Sequence, residues 1–226
     1  MTPEEIEVVL AAAERELADA GAADLRALGF WRVVGAVKRD PSLNDQFADR
    51  IGAIDRAAFA TWARLVIPIW LGTTIALGGA IAGVALMALS PTWSAWSGLI
   101  FLAGTGAVIG ATHGLGHLVV GWIGGIRFSA WFVGRGRPQP GVKTDYATYL
   151  RASPRSRAWM HASGALVTKA IPFLLLPVAL SMPSNPAWVS VVLVVLGVVQ
   201  IITDVLWSTK SSDWAKFRRE MKYAQD

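Results

Sequence analysis

Apolar positions along the chain follow three different patterns. Over residues 1–64 they recur at helical spacing, with Ile6, Val9, Leu10, Ala13 and Leu17 in one stripe and Leu43, Phe47, Ile51 and Ile54 in another. Thr2, Pro3 and Glu5 form a capping-box start for the first helix, and Gly21 can end it. Asp40-Pro41 starts the other helix, whose pattern can run on toward the membrane. From residue 65 the periodicity gives way to four continuous apolar runs, about 65–89, 93–124, 158–181 and 186–207. Each reaches the roughly 20 residues needed to cross a bilayer. Pro68, Pro172 and Pro177 are expected kinks within them. Between the second and third runs, Ile126, Phe128, Ala130 and Phe132 alternate with Arg127, Ser129, Trp131 and Val133. A period of two predicts a strand. The Gly/Pro-rich stretch 134–141 after it predicts a hairpin turn.

The expected fold is therefore an all-α integral membrane protein with about four transmembrane helices. A helical N-terminal cap and a small β element after the second span complete it. Three regions follow: 1–64, a soluble helical N-terminal region; 65–208, the four-span membrane domain; and 209–226, a basic amphipathic tail. In that tail Lys216, Arg218, Arg219 and Lys222 interleave with Trp214 and Phe217, as in an interfacial helix.

Composition agrees with this reading. The chain is 54% hydrophobic and 16% charged, and its mean hydropathy is +0.44. It has no cysteine, which excludes disulfides, thiolate metal sites and a cysteine nucleophile. The polar, acidic start Thr2-Pro3-Glu4-Glu5 does not resemble a cleavable signal peptide. The pI is near 9.9, but the cations flank the apolar runs, so they point to membrane lipids as partners and not to nucleic acid. Residues 1–64, 125–158 and 208–226 carry eight, seven and five Lys/Arg, whereas the turns 90–92 and 182–186 carry none. By the positive-inside rule both termini are expected in the cytoplasm, most simply at the cell membrane. Trp93, Trp96, Trp188 and Trp207 sit where interfacial anchors belong.

The chemistry lies in His113-Gly114-Leu115-Gly116-His117, within the uncharged second span. Two imidazoles four residues apart share one helix face, the arrangement with which a helix offers two nitrogens to zinc. Intramembrane ionisable groups are costly and point to function. Gly106, Gly110, Gly121 and Gly124 leave the same face open to a neighbouring helix or a ligand. The bland alternative is a pair of core histidines bonded to neighbouring carbonyls. At 1.5 Å per residue the pair lies about 10–16 Å inside the cytoplasmic end of its span. His161 lies near the start of the third span, and Asp204, the one acid within any span, near the end of the fourth. His113, His117 and Asp204 are thus the expected metal ligands, with His161 as a supporting or alternative ligand, and Zn2+ is the expected ion. Asp145 reads as a solvated loop acid. Lys169 is expected to snorkel or to pair with a polar group on another helix.

The segment Thr112-His113-Gly114-Leu115-Gly116-His117-Leu118 resembles the His-Glu-x-Gly-His-Leu motif of the site-2 protease family of intramembrane zinc metalloproteases. Residues 126–133 are similar to the membrane-embedded strands that follow that motif, and 157–168 to the next span. Ile202-Thr203-Asp204 occupies the place of the family's late aspartate ligand. The resemblance covers about residues 93–213. It implies a zinc metallopeptidase acting on membrane-embedded peptides, with His113, His117 and Asp204 as ligands. The chain departs from the family in four ways. Gly114 stands where the family has its general-base glutamate, Val205 follows the aspartate where glycine is usual, and an Asn-x-x-Pro stretch and a peptide-binding insert are missing. Glycine cannot move a proton, so no catalytic residue is assigned. The alternative is a non-catalytic pseudoprotease that binds a transmembrane client helix.

Overall fold

The computed structural model describes residues 1–135, 140–206 and 212–225, apart from the side chain of Val205. Trp207, Lys210 and residues 136–139 of the expected hairpin turn lie outside the described residues. The chain is an all-α integral membrane protein with a small β element and divides into two compact units.

The first unit comprises Met1–Ile69, Gly121–Arg157 and Glu220–Asp226. Helix α1 (Pro3–Ala20) opens with the expected capping box, Thr2 and Glu5 satisfying one another's backbone, and Gly21 ends it in the left-handed region at φ 66°. Helix α2 (Phe30–Val37) was not marked by the periodicity; Gly29, at φ 80°, turns the chain into it. Asp40 caps helix α3 (Pro41–Trp62) by accepting from the Ser42 N–H. Ile6, Leu10, Phe30, Val33, Phe47, Ile51 and Leu150 are all but fully buried in one apolar core. The two predicted stripes therefore face each other.

Strand β1 (Ala63–Pro68) follows α3 directly. The first span thus begins later than expected: residues 65–68 are extended, and Pro68 ends a strand where a helix kink was expected. β1 pairs antiparallel with β2 (Phe128–Gly134), which pairs antiparallel with β3 (Pro140–Thr144), giving the order β1-β2-β3. Phe59 and Trp62 pack edge-on against Phe132, at 4.9 and 5.8 Å between ring centroids, and seat the sheet on α3. Lys143 of β3 pairs with the buried Asp55 of α3. Asp145, expected as a loop acid, caps helix α6 (Tyr146–Arg151) by accepting from the Thr148 N–H at 3.0 Å. It also lies 3.5 Å from Arg56.

The last segment of this unit is tied in by charge. Glu220 is fully buried, with Lys38 Nζ at 2.6 Å from one carboxylate oxygen and Arg157 Nε at 2.8 Å from the other. Arg157 Nη1 also donates to the Leu150 and Ala152 carbonyls. Burial pushes the Glu220 carboxyl up, but Lys38 and Arg157 outweigh it and hold the carboxyl below its ordinary range. The expected surface helix is therefore anchored by a buried acid.

The second unit comprises Trp70–Val120 and Ala158–Arg219. Four helices long and apolar enough to cross a membrane supply most of it: α4 (Ile69–Leu89), α5 (Ser97–Ile123), α7 (Pro154–Ser181) and α8 (Ala187–Leu206). Ser153 caps α7 by accepting from the Ser156 N–H at 3.1 Å, and Pro172 and Pro177 lie inside that helix. Glycines set the spacing, as they do where lipid gives helices no hydrophobic drive to associate. A Cβ on Gly83 of α4 would meet the Gly104 carbonyl of α5 at 2.7 Å, and one on Gly116 of α5 would meet Gly164 of α7 at 3.2 Å. Phe101, Val189 and Leu193 fill a second apolar core. Lys169 of α7 forms an ion pair with Asp204 of α8 and lies 3.3 Å from the Ala165 carbonyl. Trp93, Trp96 and Trp188 are exposed, as anchors at a bilayer surface would be.

Candidate metal centre

One helix face delivers both imidazoles, as the spacing predicts. The rings of His113 and His117 meet edge-on, 4.8 Å between centroids, with their Nε2 atoms 3.3 Å apart. The close contact of α5 with α7 orients the second ring. His117 Nδ1 lies 2.6 Å from the Met160 carbonyl of α7. A carbonyl can only accept, so Nδ1 carries the proton and a neutral His117 turns its Nε2 lone pair toward His113. Gly164 makes room for this ring, because a Cβ there would stand 2.5 Å from His117 Nε2.

The third member comes from helix α9 (Asp213–Lys222). Asp213 Oδ2 lies 3.4 Å from His113 Nε2 and 3.4 Å from His117 Nε2. Ser212 accepts from the Ala215 N–H at 3.2 Å, starting the helix, and Asp213 sits in its first turn, where the helix dipole favours negative charge. Burial pushes the Asp213 carboxyl up; hydrogen bonds from His113 and His117 in their protonated form, together with Lys216, outweigh it and hold the carboxyl well below the usual carboxylate range. The Asp213 and His117 side chains are largely buried, while His113 is 41% exposed.

Asp204, expected as the third ligand, stands elsewhere. Its carboxylate is taken by Lys169, and the acid that meets the imidazoles is Asp213. A span-embedded carboxylate needs a cation, and Lys169 on the neighbouring helix supplies one. His161 is half-buried on α7 and makes interactions of its own; among the described residues the converging group is His113, His117 and Asp213. Gly114, which lies between the two histidines in sequence, is buried, and among the described residues no second carboxylate joins the group. The signal for Asp213 in the sequence was slight: an acid after a serine, in a basic tail, reads first as an ordinary helix start.

The donor set suits a divalent ion. Zn–N bonds of about 2.0–2.1 Å in tetrahedral geometry set ligand atoms about 3.3–3.4 Å apart. The three pairs of atoms here are separated by 3.3, 3.4 and 3.4 Å. Two imidazoles and one carboxylate are also the ligand classes of open zinc sites.

Compared with known proteins, the chain matches no family model, no curated protein and no solved structure.

Proposed function

We propose that the chain is a site-2-protease-like metal-binding protein of the membrane in which His113, His117 and Asp213 hold one divalent cation, with zinc the best match to their donors. The observation that carries this reading is the near-equilateral triangle of two nitrogens and one oxygen, at 3.3–3.4 Å. With Nδ1 of His117 donating to Met160, a lone pair faces a carboxylate oxygen, and such a contact is stable only with a cation or extra protons between them. A bound zinc ion would supply Lewis-acid polarisation at an open coordination position. His113 and His117 would bind it through Nε2, Asp213 would neutralise part of its charge, and the Met160 carbonyl would fix the His117 tautomer. The reading also puts the protein at the cell membrane with both termini in the cytoplasm. A reporter fused after residue 226 that reads as extracytoplasmic would overturn that placement.

The test is elemental analysis of purified protein. Wild type is expected to hold about one zinc per chain, and His117→Ala and Asp213→Ala to lose most of it. Asp204→Ala is expected to retain its metal, because Asp204 already pairs with Lys169. Metal-free wild type, or full occupancy in Asp213→Ala, would overturn the assignment.

Gly114 favours a second reading of the same centre, a pseudoprotease that binds a transmembrane client without cleaving it. A general base typically contributes about 10²–10⁴ in rate, and Gly114 cannot provide one. Gly114→Glu that holds zinc and gains cleavage of a membrane-embedded peptide would mark a disarmed zinc metallopeptidase. The same variant holding zinc and cleaving nothing would mark the client-binding protein.

A further inference from the structure

The two oxygens of Asp213 have different partners. Oδ2 faces both imidazoles at 3.4 Å, and Oδ1 lies 3.1 Å from Lys216 Nζ, three residues on along α9. We infer that Lys216 is a specificity-determining residue of this centre: by occupying Oδ1 it holds the Asp213 carboxylate monodentate and so selects four-coordinate metals. The inference rests on the metal-binding reading above and adds a residue and a selectivity to it.

A free carboxylate chelates through one oxygen or two, and the second mode raises the coordination number. Ions that prefer six oxygen-rich ligands, such as manganese and magnesium, gain from that extra donor; zinc and cobalt are at home with four. An ammonium on Oδ1 withdraws that oxygen and leaves two nitrogens and one oxygen. The geometry needed for this is built into α9. Residues three apart on a helix are neighbours, so Lys216 reaches Asp213 from its own helix. The helix itself is clamped one residue further on. Phe217 packs edge-on against Trp159 of α7 at 5.4 Å and against Trp214 at 5.6 Å. Trp159 directly precedes Met160, whose carbonyl fixes His117. The carboxylate is thus presented from a held turn, and Lys216 decides which of its oxygens points inward. Lys216 is one-third exposed, so its ion pair with Asp213 adds little to folding. A merely decorative pair would leave metal preference untouched, and that is what the test reads.

Full-length protein in detergent micelles is titrated with Co2+ and with Mn2+. Wild type is expected to bind one Co2+ with the strong visible absorption of a four-coordinate site and to prefer it to Mn2+. Lys216→Met is expected to weaken that absorption as coordination rises, and to cut the preference for Co2+ over Mn2+ by about 10-fold or more, as loss of a group that orients a ligand does. Lys216→Arg should restore both. Phe217→Ala separates helix docking from oxygen selection: it should lower Co2+ affinity while leaving the spectrum at saturation unchanged. A Lys216→Met protein with the wild-type spectrum and preference overturns the inference. Wild type that binds no Co2+ overturns the metal reading beneath it, a distinct result. If Lys216→Met does not fold by circular dichroism, Lys216→Leu, which likewise has no donor for Oδ1, is judged by the same criteria.

Discussion

Glu220 and Asp213 are both largely or wholly buried carboxylates on helix α9, and they are satisfied in opposite ways. Glu220 lies between the ammonium of Lys38 and the guanidinium of Arg157. Asp213 turns one oxygen to two imidazoles, which are cationic only when protonated, and leaves the other to Lys216. Burial opposes ionisation in both, and in both the neighbours win. In the first unit the counter-charge comes from the chain itself and the cluster is complete, as a structural ion pair should be. In the second, two nitrogens and an oxygen converge, and on the function proposed above a bound cation would supply the charge that joins them. Burial of an acid therefore says little about function by itself; what distinguishes scaffold from site is whether its partners bring their own charge.

Substitution at the complete cluster should have the largest effect. Glu220→Ala leaves Lys38 and Arg157 buried without their carboxylate and should cost about 3–5 kcal/mol, read by thermal denaturation in detergent. Unchanged stability would remove the structural half of the comparison. Asp213→Ala is next: zinc affinity should fall by roughly 100-fold or more, with a much smaller loss of stability than Glu220→Ala. If the two variants lose stability equally, the carboxylates are not different in kind. Gly164→Ala sharpens the contrast without touching a charge. The new methyl would press on the His117 ring and the His113 carbonyl, costing about 1–3 kcal/mol and much of the metal. Its counterpart in the first unit, Gly52→Ala, meets Ala147 at 3.0–3.1 Å and should cost stability without changing metal content.

The smallest effect is the response to acid. The Glu220 carboxyl is depressed in the folded protein, so its contribution is fully present above the unfolded value of about 4.3. It is lost as pH falls through the lower folded value. Stability of the wild type should therefore decline below about pH 4 more steeply than that of Glu220→Gln. Parallel declines would show that Glu220 is not a source of the acid sensitivity.

The spans were legible because 20-residue apolar runs have few alternative structures, and the helix starts at Thr2 and Asp40 because they are local. What escaped depends on distant partners. Ala-Arg-Leu-Val-Ile-Pro of β1 merges in hydropathy with the span that follows, and only its pairing with β2 makes it a strand. The two imidazoles were legible from helical spacing. Their carboxylate was not, because depth along a span cannot reveal that Lys169 has claimed Asp204. Nor does anything in residues 212–216 announce that a terminal helix will bring Asp213 to residues about a hundred positions earlier.

The order of strands in the sheet has a consequence for synthesis. β1 ends at Pro68, whereas its partners run from Ala130 to Gly134. At about 5–20 residues per second, β1 leaves the ribosome some seconds before anything it can pair with exists. Over that interval it is an extended apolar segment with both edges open, the kind of segment that recruits other chains. Arg64 gives it one charge and Pro68 closes it with a residue that cannot donate to a ladder, both ordinary deterrents to wrong pairing. The waiting strand, more than any helix, is where a nascent chain of this protein is open to misassembly.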